Sequence, residues 1–393
     1  MPGHSPLPIP DTVLDIAQRL EAAGFETWCV GGAVRDHLLG DSNSDFDLAT
    51  QATPDQVRAI FRRTVDVGIE FGTVGVLDDE RTLHEVTTFR RDVSTDGRRA
   101  VVAFGATLAE DLARRDFTIN AIAYHPIRQE WQDPFHGFQD LDAKVLRAVG
   151  EARERFREDY LRILRGVRFA TRFGFTIDPI TWAAALDARS GLAGLSAERV
   201  RDEWFKSLRT ARSLPRLLEL WREVIGASSW MPELRSAVPR DPGSDFPRDP
   251  VLLTAFLAAR PADLLTRLKG SSAEIQRAAA LDAGPAAPAG KSEIEVRRWL
   301  SKVTPAIAKD LLALQQLSTG APPAWTPTMA QILTRGDPLD RGALAVHGSD
   351  LLAAGIPAGP RLGQVLKALL DFVLDDPARN TKDTLLRHAA TLR

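Results

Sequence analysis

Two carboxylates, Asp45 and Asp47, stand two positions apart in Asp45-Phe46-Asp47-Leu48-Ala49. On a strand, that spacing puts both on one face and Phe46 and Leu48 on the other. Aligned carboxylates attract hard divalent cations such as Mg²⁺. Two such ions, roughly 3.5–4 Å apart, activate a hydroxyl and stabilise the leaving oxygen in phosphoryl transfer. Just upstream, Trp28-Cys29-Val30 is a short apolar run that reads as a buried strand. Gly31 and Gly32 follow at once, so the backbone there can turn tightly and approach a ligand. Their N–H groups could then face phosphate oxygens. Arg35 falls in the first turn of a short helix over 34–39 and suits a bidentate grip on a triphosphate. A lone glycine pair is usually a turn, and a lone D-x-D usually a solvated loop end. Glycines, arginine and carboxylates in this order, within one short stretch, point to phosphoryl transfer.

Gly31, Gly32, Val34, Arg35, Asp36, Asp45 and Asp47 together resemble the GGxVRD…DxD signature of the class II tRNA nucleotidyltransferases and bacterial poly(A) polymerases. That family lies within the polymerase-β-like superfamily. The resemblance implies that Asp45 and Asp47 bind two catalytic Mg²⁺ ions, and that Gly31, Gly32 and Arg35 hold the triphosphate. Glu85-x-Thr87-Thr88-Phe89-Arg90 resembles the family's E-x-T-T-F-R segment, which implies Glu85 as a third carboxylate near the metals. A strand glutamate facing solvent or an arginine fits those residues equally well. Arg114-Arg115-Asp116-Phe117-Thr118-Ile119-Asn120-Ala121 resembles the RRDFTxNA motif. It implies Asp116 at the nucleotide ribose, Arg115 near the phosphates and Asn120 in the same nucleotide site. A carboxylate accepting from a 2′-OH separates ribose from deoxyribose. Read alone, the segment is a helix start with an arginine–aspartate pair. Asp133-Pro134-Phe135-His136-Gly137 resembles the family's DPFGG turn, with His136 in place of the first glycine.

Residues 151–173 read as one long amphipathic helix, with Phe156, Tyr160, Ile163, Val167 and Ala170 at helical spacing. Glu158, Asp159, Arg162 and Arg165 fall on the adjoining polar face. Taken alone, they form an intrahelical salt-bridge ladder. Glu158-Asp159-x-x-Arg162 also resembles the family's EDxxR motif, which implies that Asp159 and Arg162 template the base, with Arg165 in the same nucleotide site. Cytosine and adenine both present an amino donor beside a ring-nitrogen acceptor. A carboxylate accepts from the first, and a guanidinium donates to the second. Uracil and guanine present the opposite pattern and would leave buried groups unpaired. Glu198-Arg199-x-x-x-Glu203 resembles the ERxxxE element, expected to buttress this helix through salt bridges.

The surrounding pattern alternates strand and helix. Asp11 is the expected N-cap of a helix that buries Val13, Leu14, Ala17 and Leu20. Thr53-Pro54 opens another helix. Residues 65–76 hold a strand pair, and 83–89 a further strand with Glu85 beside Thr87 on one face. This predicts an α/β head of polymerase-β-like type with a mixed sheet, followed by an elongated all-α neck, body and tail. The expected division is a catalytic head at 1–148, a neck with the nucleotide-selecting helix at 149–215, a body at 216–330 and a tRNA-binding tail at 331–393. Residues 294–317 read as one helix. Gly359 opens either a phosphate-binding helix start near Arg361 or a helical pair packed by small residues.

The net charge of −2 by itself argues against a nucleic-acid partner, yet residues 147–172 carry eight arginines against four acids. A local basic stripe on a near-neutral chain suits a polyanion gripped in one place. One cysteine excludes an internal disulfide, and no cysteine–histidine cluster has zinc spacing. The first residues lack the pattern of a signal peptide, and the apolar run at 251–259 is too short to span a membrane. Both fit a cytoplasmic protein.

The expected function is template-independent addition of C, C and A to the 3′ end of tRNA from CTP and ATP. CC-only addition, A-only addition and poly(A) synthesis are the enzymatic alternatives, and a catalytically silent RNA-binding protein is the non-enzymatic one. Val67 to Val74, VGIEFGTV, is similar to the tRNA-type strand and unlike the GRRFRLxHV-like strand of the poly(A) polymerases. The polar stretch 90–99 reads as a mobile loop or a solvated hairpin tip. In the family a flexible loop in this interval accompanies the switch from C to A.

Overall fold

A computed structural model describes residues 5–41, 46–95, 100–226, 228–236, 241 and 246–392. Asp45, the first of the two sequence-predicted metal carboxylates, lies outside the described residues. The chain divides into two compact units, 1–232 and 233–393.

The first unit is built on a seven-stranded sheet. Its strands are β1 (Thr27–Val30), β2 (Asp47–Thr50), β3 (Thr64–Gly68), β4 (Thr73–Leu77) and β5 (Leu83–Thr88), with β8 (Ala123–His125) and β9 (Glu130–Gln132) after a separate hairpin of β6 (Arg90–Thr95) and β7 (Ala100–Phe104). The order across the sheet is β3-β4-β5-β2-β1-β8-β9. Only β2 and β5 run parallel; the other neighbours are antiparallel, so the sheet is mixed as the sequence predicts. The polar 90–99 stretch is not a simple loop. Its flanks pair as β6 and β7, and residues 96–99 lie outside the described residues.

One face of the sheet packs on helix α1 (Asp11–Ala22) and on α3 (Pro54–Ile60). Pro10, not Asp11, precedes the first turn of α1; Asp11 sits inside it, where an acid complements the helix dipole. Thr53 and Gln56 form a capping box with Pro54 at the first helical position, as the sequence suggests. On the other face, Trp28, Val30, Ala49 and Ala123 pack under Leu112 of α4 (Leu108–Ala113), with Phe89 and Val149. This cover lies over the β2-β1-β8 side. Gly31, at φ 77°, turns the chain from β1 into α2 (Gly32–Leu38).

The DPFGG-like turn forms around His136, which takes the left-handed conformation at φ 62°. Asp133 accepts from the Gly137 and Phe138 N–H groups at 2.7 and 2.9 Å, which fixes the turn. Gly137 then opens α5 (Gly137–Ala143), and a Cβ there would strike the Thr118 carbonyl.

The expected single helix at 151–173 is two helices, α6 (Ala152–Glu158) and α7 (Leu161–Phe173). Asp159, extended at φ −150°, breaks them. The Tyr160 ring lies against Gly191, where any Cβ would collide with it, and Arg199 grips Asp159 at 2.8 Å. These tertiary contacts offset the helical hydrogen bonds that are given up. Three further helices follow in this unit: α8 (Pro179–Ala188), α9 (Ala197–Thr210) and α10 (Leu214–Ile225). The ERxxxE expectation holds in its physical content: Glu203 of α9 is buried and pairs with Arg168 of α7 at 2.6 Å.

The second unit is helical among its described residues, with α11 (Pro250–Leu257), α12 (Pro261–Arg267), α13 (Ser272–Ala283), α14 (Glu293–Thr319), α15 (Thr326–Arg335), α16 (Gly348–Ala353), α17 (Pro360–Asp375) and α18 (Lys382–Thr391). The stretch 294–317 is not one straight helix. Thr304 takes φ 69°, because the following Pro305 supplies no N–H and disfavours helical geometry before it. Arg297, buried, donates to the Leu374 and Asp375 carbonyls at the end of α17 and pairs with Glu293 and Asp337. Arg361 donates to the Leu392 carbonyl, tying α17 to the end of α18. Among the described residues no helix is long and apolar enough to cross a membrane.

Candidate functional site

A cavity of about 920 Å³ opens on the sheet face that carries Asp47. Every described residue that the sequence assigns to the site lines it: Gly31, Gly32, Arg35, Asp47, Glu85, Arg115, Asp116, Asn120, Asp159, Arg162 and Arg165. Such a volume is at the upper end of ligand pockets, roughly 300–1,000 Å³.

The register builds its floor. Leu48 pairs with Val86 across the parallel strands β2 and β5, so the preceding residues, Asp47 and Glu85, stand level on one face. Thr87 lies beside them, and its hydroxyl meets that of Thr73 at 3.0 Å. Two carboxylates level on adjacent strands are oxygen donors of the kind that suit Mg²⁺. Cys29, on the opposite face of β1, is buried, and its thiol is pushed up to about 12 by that burial and by Asp47. It stays protonated and inert, as its apolar setting suggests.

The glycine turn makes one wall. A Cβ at Gly31 would lie 3.1 Å from the Arg115 Nη1 and 3.8 Å from an Asp47 carboxylate oxygen, so only glycine lets these charged groups converge. Arg35 does not reach outward as the sequence suggests. It is buried at 4% exposure, pairs with Asp36 at 2.6 Å, donates to the Asn120 Oδ1 and lies over the rings of Phe169 and Phe173. The second Asp36 oxygen takes Arg172 of α7 at 2.9 Å. Asp36 thus ties the glycine-turn helix to α7, a link the sequence reading missed because its two ends are 136 positions apart.

Asp111 was also missed. It is almost fully buried and accepts from Arg114 at 2.7 Å and from Arg115 at 3.0 Å, which aims both arginines. Its i,i+3 and i,i+4 spacing to them is the signal that could have found it. Among the described residues, the buried Arg115 Nε and Arg199 Nη1 have no hydrogen-bond partner. Both residues line the cavity, and unpaired buried donors are costly unless a ligand accepts from them.

At the far wall, Asp116 accepts from Asn120 at 2.8 Å and from Arg165 at 2.7 Å. Burial pushes its carboxyl up, but Arg165, Asn120 and Arg162 outweigh this and hold it at about 2, against an ordinary 3.8. A value depressed by folding stabilises the fold above the ordinary pKa, and that stability is lost as pH falls through the folded value. The depression is worth about 2 kcal/mol. Asp116→Asn is expected to flatten the acid limb of the stability-versus-pH curve by that amount, measured by denaturant unfolding between about pH 4 and 2. An unchanged slope would mean that Arg165 does not hold the carboxylate.

Asp159 and Arg162 do not form the direct pair that one continuous helix would give. Asp159 accepts from Arg199 at 2.8 Å and from the Leu161 N–H at 3.0 Å. Arg162 donates to Glu158 at 2.7 Å and to the Arg155 and Arg114 carbonyls at 3.1 and 2.8 Å. Arg155 reaches the Ala113 carbonyl as well, so two cations cap the end of α4. Asp159 and Arg162 therefore each have their own holder and line the same cavity.

Sheet order, glycine turn and level carboxylates are those of a polymerase-β-like nucleotidyltransferase head. Residues 27–147 match the family described as Poly A polymerase head domain, and 174–234 the one described as Probable RNA and SrmB-binding site of polymerase A. The CCA-adding enzyme of Lactiplantibacillus plantarum is 37% identical over 95% of this chain and 94% of its own. The chain belongs to the CCA-adding enzyme and bacterial poly(A) polymerase family. A structure of the Bacillus stearothermophilus CCA-adding enzyme in complex with CTP is similar at TM-score 0.79 and 31% identity, covering 97% of this chain and 96% of that one. The Thermotoga maritima CCA-adding enzyme complexed with tRNA is 20% identical and shares the fold, at TM-score 0.67 over 98% of this chain and 97% of that one.

Proposed function

We propose that this protein adds C, C and A to the 3′ end of tRNA from CTP and ATP, without a nucleic-acid template. The observation that carries the reading is the convergence of three groups on one cavity: the level carboxylates of Asp47 and Glu85, Arg115 beside the Gly31 turn, and the pair Asp159 and Arg162. The likeness of nearly the whole chain to CCA-adding enzymes supports it.

In this reading the nucleotide lies with its triphosphate against Gly31, Gly32 and Arg115, its ribose at Asp116 and Asn120, and its base at Asp159 and Arg162. Arg35 acts mainly by holding Asn120 and α7 in place. Arg165 keeps Asp116 ionised, so that it accepts from a 2′-hydroxyl. Arg199 fixes the Asp159 carboxylate toward an amino donor, and Glu158 fixes the Arg162 guanidinium toward a ring nitrogen. The tRNA 3′-oxygen bonds to the α-phosphorus, the bond to the β-phosphate breaks, and pyrophosphate leaves. Asp47, Glu85 and Asp45 would hold Mg²⁺, which supplies activation of the hydroxyl and charge neutralisation at the leaving oxygen. The head at 1–148, neck at 149–215, body at 216–330 and tRNA-binding tail at 331–393 are the proposed division of this work. A tRNA substrate and a lone protonated thiol suit the cytoplasm.

The β6–β7 hairpin occupies the interval in which the family resemblance expects the loop that accompanies the switch from C to A, which supports CCA addition over CC-only addition. The test uses tRNAs ending before CCA, after C and after CC, each given CTP, ATP or both. Completion of all three with both nucleotides is expected. Failure to add A to the CC-ended tRNA would indicate a CC enzyme, and failure on the two shorter tRNAs an A enzyme.

A further inference from the structure

Among the described residues, ten large apolar side chains are exposed, and five of them gather on one patch: Val65, Val67, Phe71, Leu83 and Phe104. The register places this patch. Val65 pairs with Gly75, and Gly75 with Glu85, so Val65 stands on the same face as Glu85 and Asp47. A Cβ at Gly75 would meet Leu83 at 2.5 Å and Val67 at 2.9 Å, so those two side chains close over the glycine on that face. Phe104 covers Gly72 in the same way, beside Phe71. Phe71 is 44% exposed and lines the cavity itself. Arg90, another lining residue, has its guanidinium 5.9 Å above the Phe71 ring.

The topology says what can lie there. Gly31, Asn120, Asp116 and the α7 arginines are all on the β1–β8 side of Asp47. In the reading above, the incoming nucleotide fills that side, which α4 also covers. Displacement at the α-phosphorus is in line, so the attacking hydroxyl must come from the side opposite the leaving pyrophosphate. Across β2 that side is β5, β4 and β3, where Val65, Val67 and Leu83 on the same sheet face are exposed among the described residues. An exposed aromatic ring beside an arginine is the combination that holds unpaired bases without reading their sequence. A site that must accept a new terminal base after each addition needs such tolerance.

We propose that Phe71, with the apolar face of Val65, Val67 and Leu83, is the subsite that holds the unpaired terminal base of the RNA primer. This rests on the functional reading above and adds a place for the second substrate. Arg90, which donates to the Phe71 carbonyl, holds the ring in place and brings a positive charge beside it, where the adjoining phosphate would lie.

The test uses a tRNA ending in CC whose terminal base is replaced by 2-aminopurine. The wild-type protein is expected to quench its fluorescence on binding. Phe71→Ala should abolish the quench and raise the KM for CC-ended tRNA about tenfold or more, with little change in the KM for ATP. Phe71→Trp should restore both. Leu83→Ser, on the same face, should weaken tRNA in the same direction, and it serves if Phe71→Ala fails to fold. An unchanged quench in Phe71→Ala, or equal rises in the two KM values, would overturn the subsite. So would a change of oligomeric state with RNA binding intact, which would make the patch an interface between copies. A wild-type protein that quenches but incorporates neither CTP nor ATP would fail the functional reading and leave the subsite standing.

Discussion

Asp47→Asn is expected to lower nucleotide incorporation by about a thousandfold or more while tRNA still binds. The substitution keeps the shape of the side chain and removes its charge. Asp47 opens β2, level with Glu85 on β5, and its carboxylate and the Arg115 guanidinium converge on the Gly31 turn, so its charge sits where phosphate grip and metal site would meet. Loss of a carboxylate that neutralises a metal at the reacting phosphate forfeits several kcal/mol of transition-state stabilisation, and each 1.36 kcal/mol is tenfold in rate. The measurement is single-turnover incorporation of labelled CTP beside equilibrium tRNA binding. Asp45→Asn should behave alike. Near-wild-type turnover in both variants would sink the metal assignment.

Arg162→Ala is expected to cut the preference for CTP over UTP by about ten- to a hundredfold, the worth of one hydrogen bond from a charged donor. Its donors already reach Glu158 and two carbonyls, so the substitution also loosens the corner between α6 and α7. Arg162→Lys separates the two effects. Lysine can keep the Glu158 pair but loses the planar fork that reads a base edge. Fidelity should therefore fall in both variants, while thermal stability falls mainly in the alanine one. The quantity to measure is the ratio of kcat/KM for CTP and UTP on a tRNA lacking CCA. If that ratio is unchanged while melting drops, Arg162 is a salt-bridge residue and nothing more.

How far these assignments were legible depends on how far apart the interacting residues lie. The Gly31 turn, the capping box at Thr53 and the same-face alternation of Glu85 and Thr87 involve neighbours within a few positions. Their geometry follows from strand and helix periods, so sequence reading places them. The two helix breaks were not legible in the same way. At Thr304 the cause, Pro305, is local and was overlooked. At Asp159 the apolar spacing is truly helical, and the break comes from Tyr160 meeting Gly191 and from Arg199, which only the folded chain brings close.

The sequence by itself determined the motifs and their order, and hence the class of chemistry. The glycine turn and same-face carboxylates follow from backbone conformation and short-range spacing, while the resemblance of the arginine–aspartate segment and of Asp159 and Arg162 to family motifs marked them for the same site. Only the tertiary structure decided which charge holds which. Arg35 turned inward to Asp36 and Asn120; Asp36 bound α7 through Arg172; Asp111 aimed Arg114 and Arg115; Arg199, 40 positions away, fixed Asp159. The physical reason is that a buried ion must find a partner wherever the fold supplies one. Spacing along the chain says which residues share a face, and not which face it will meet.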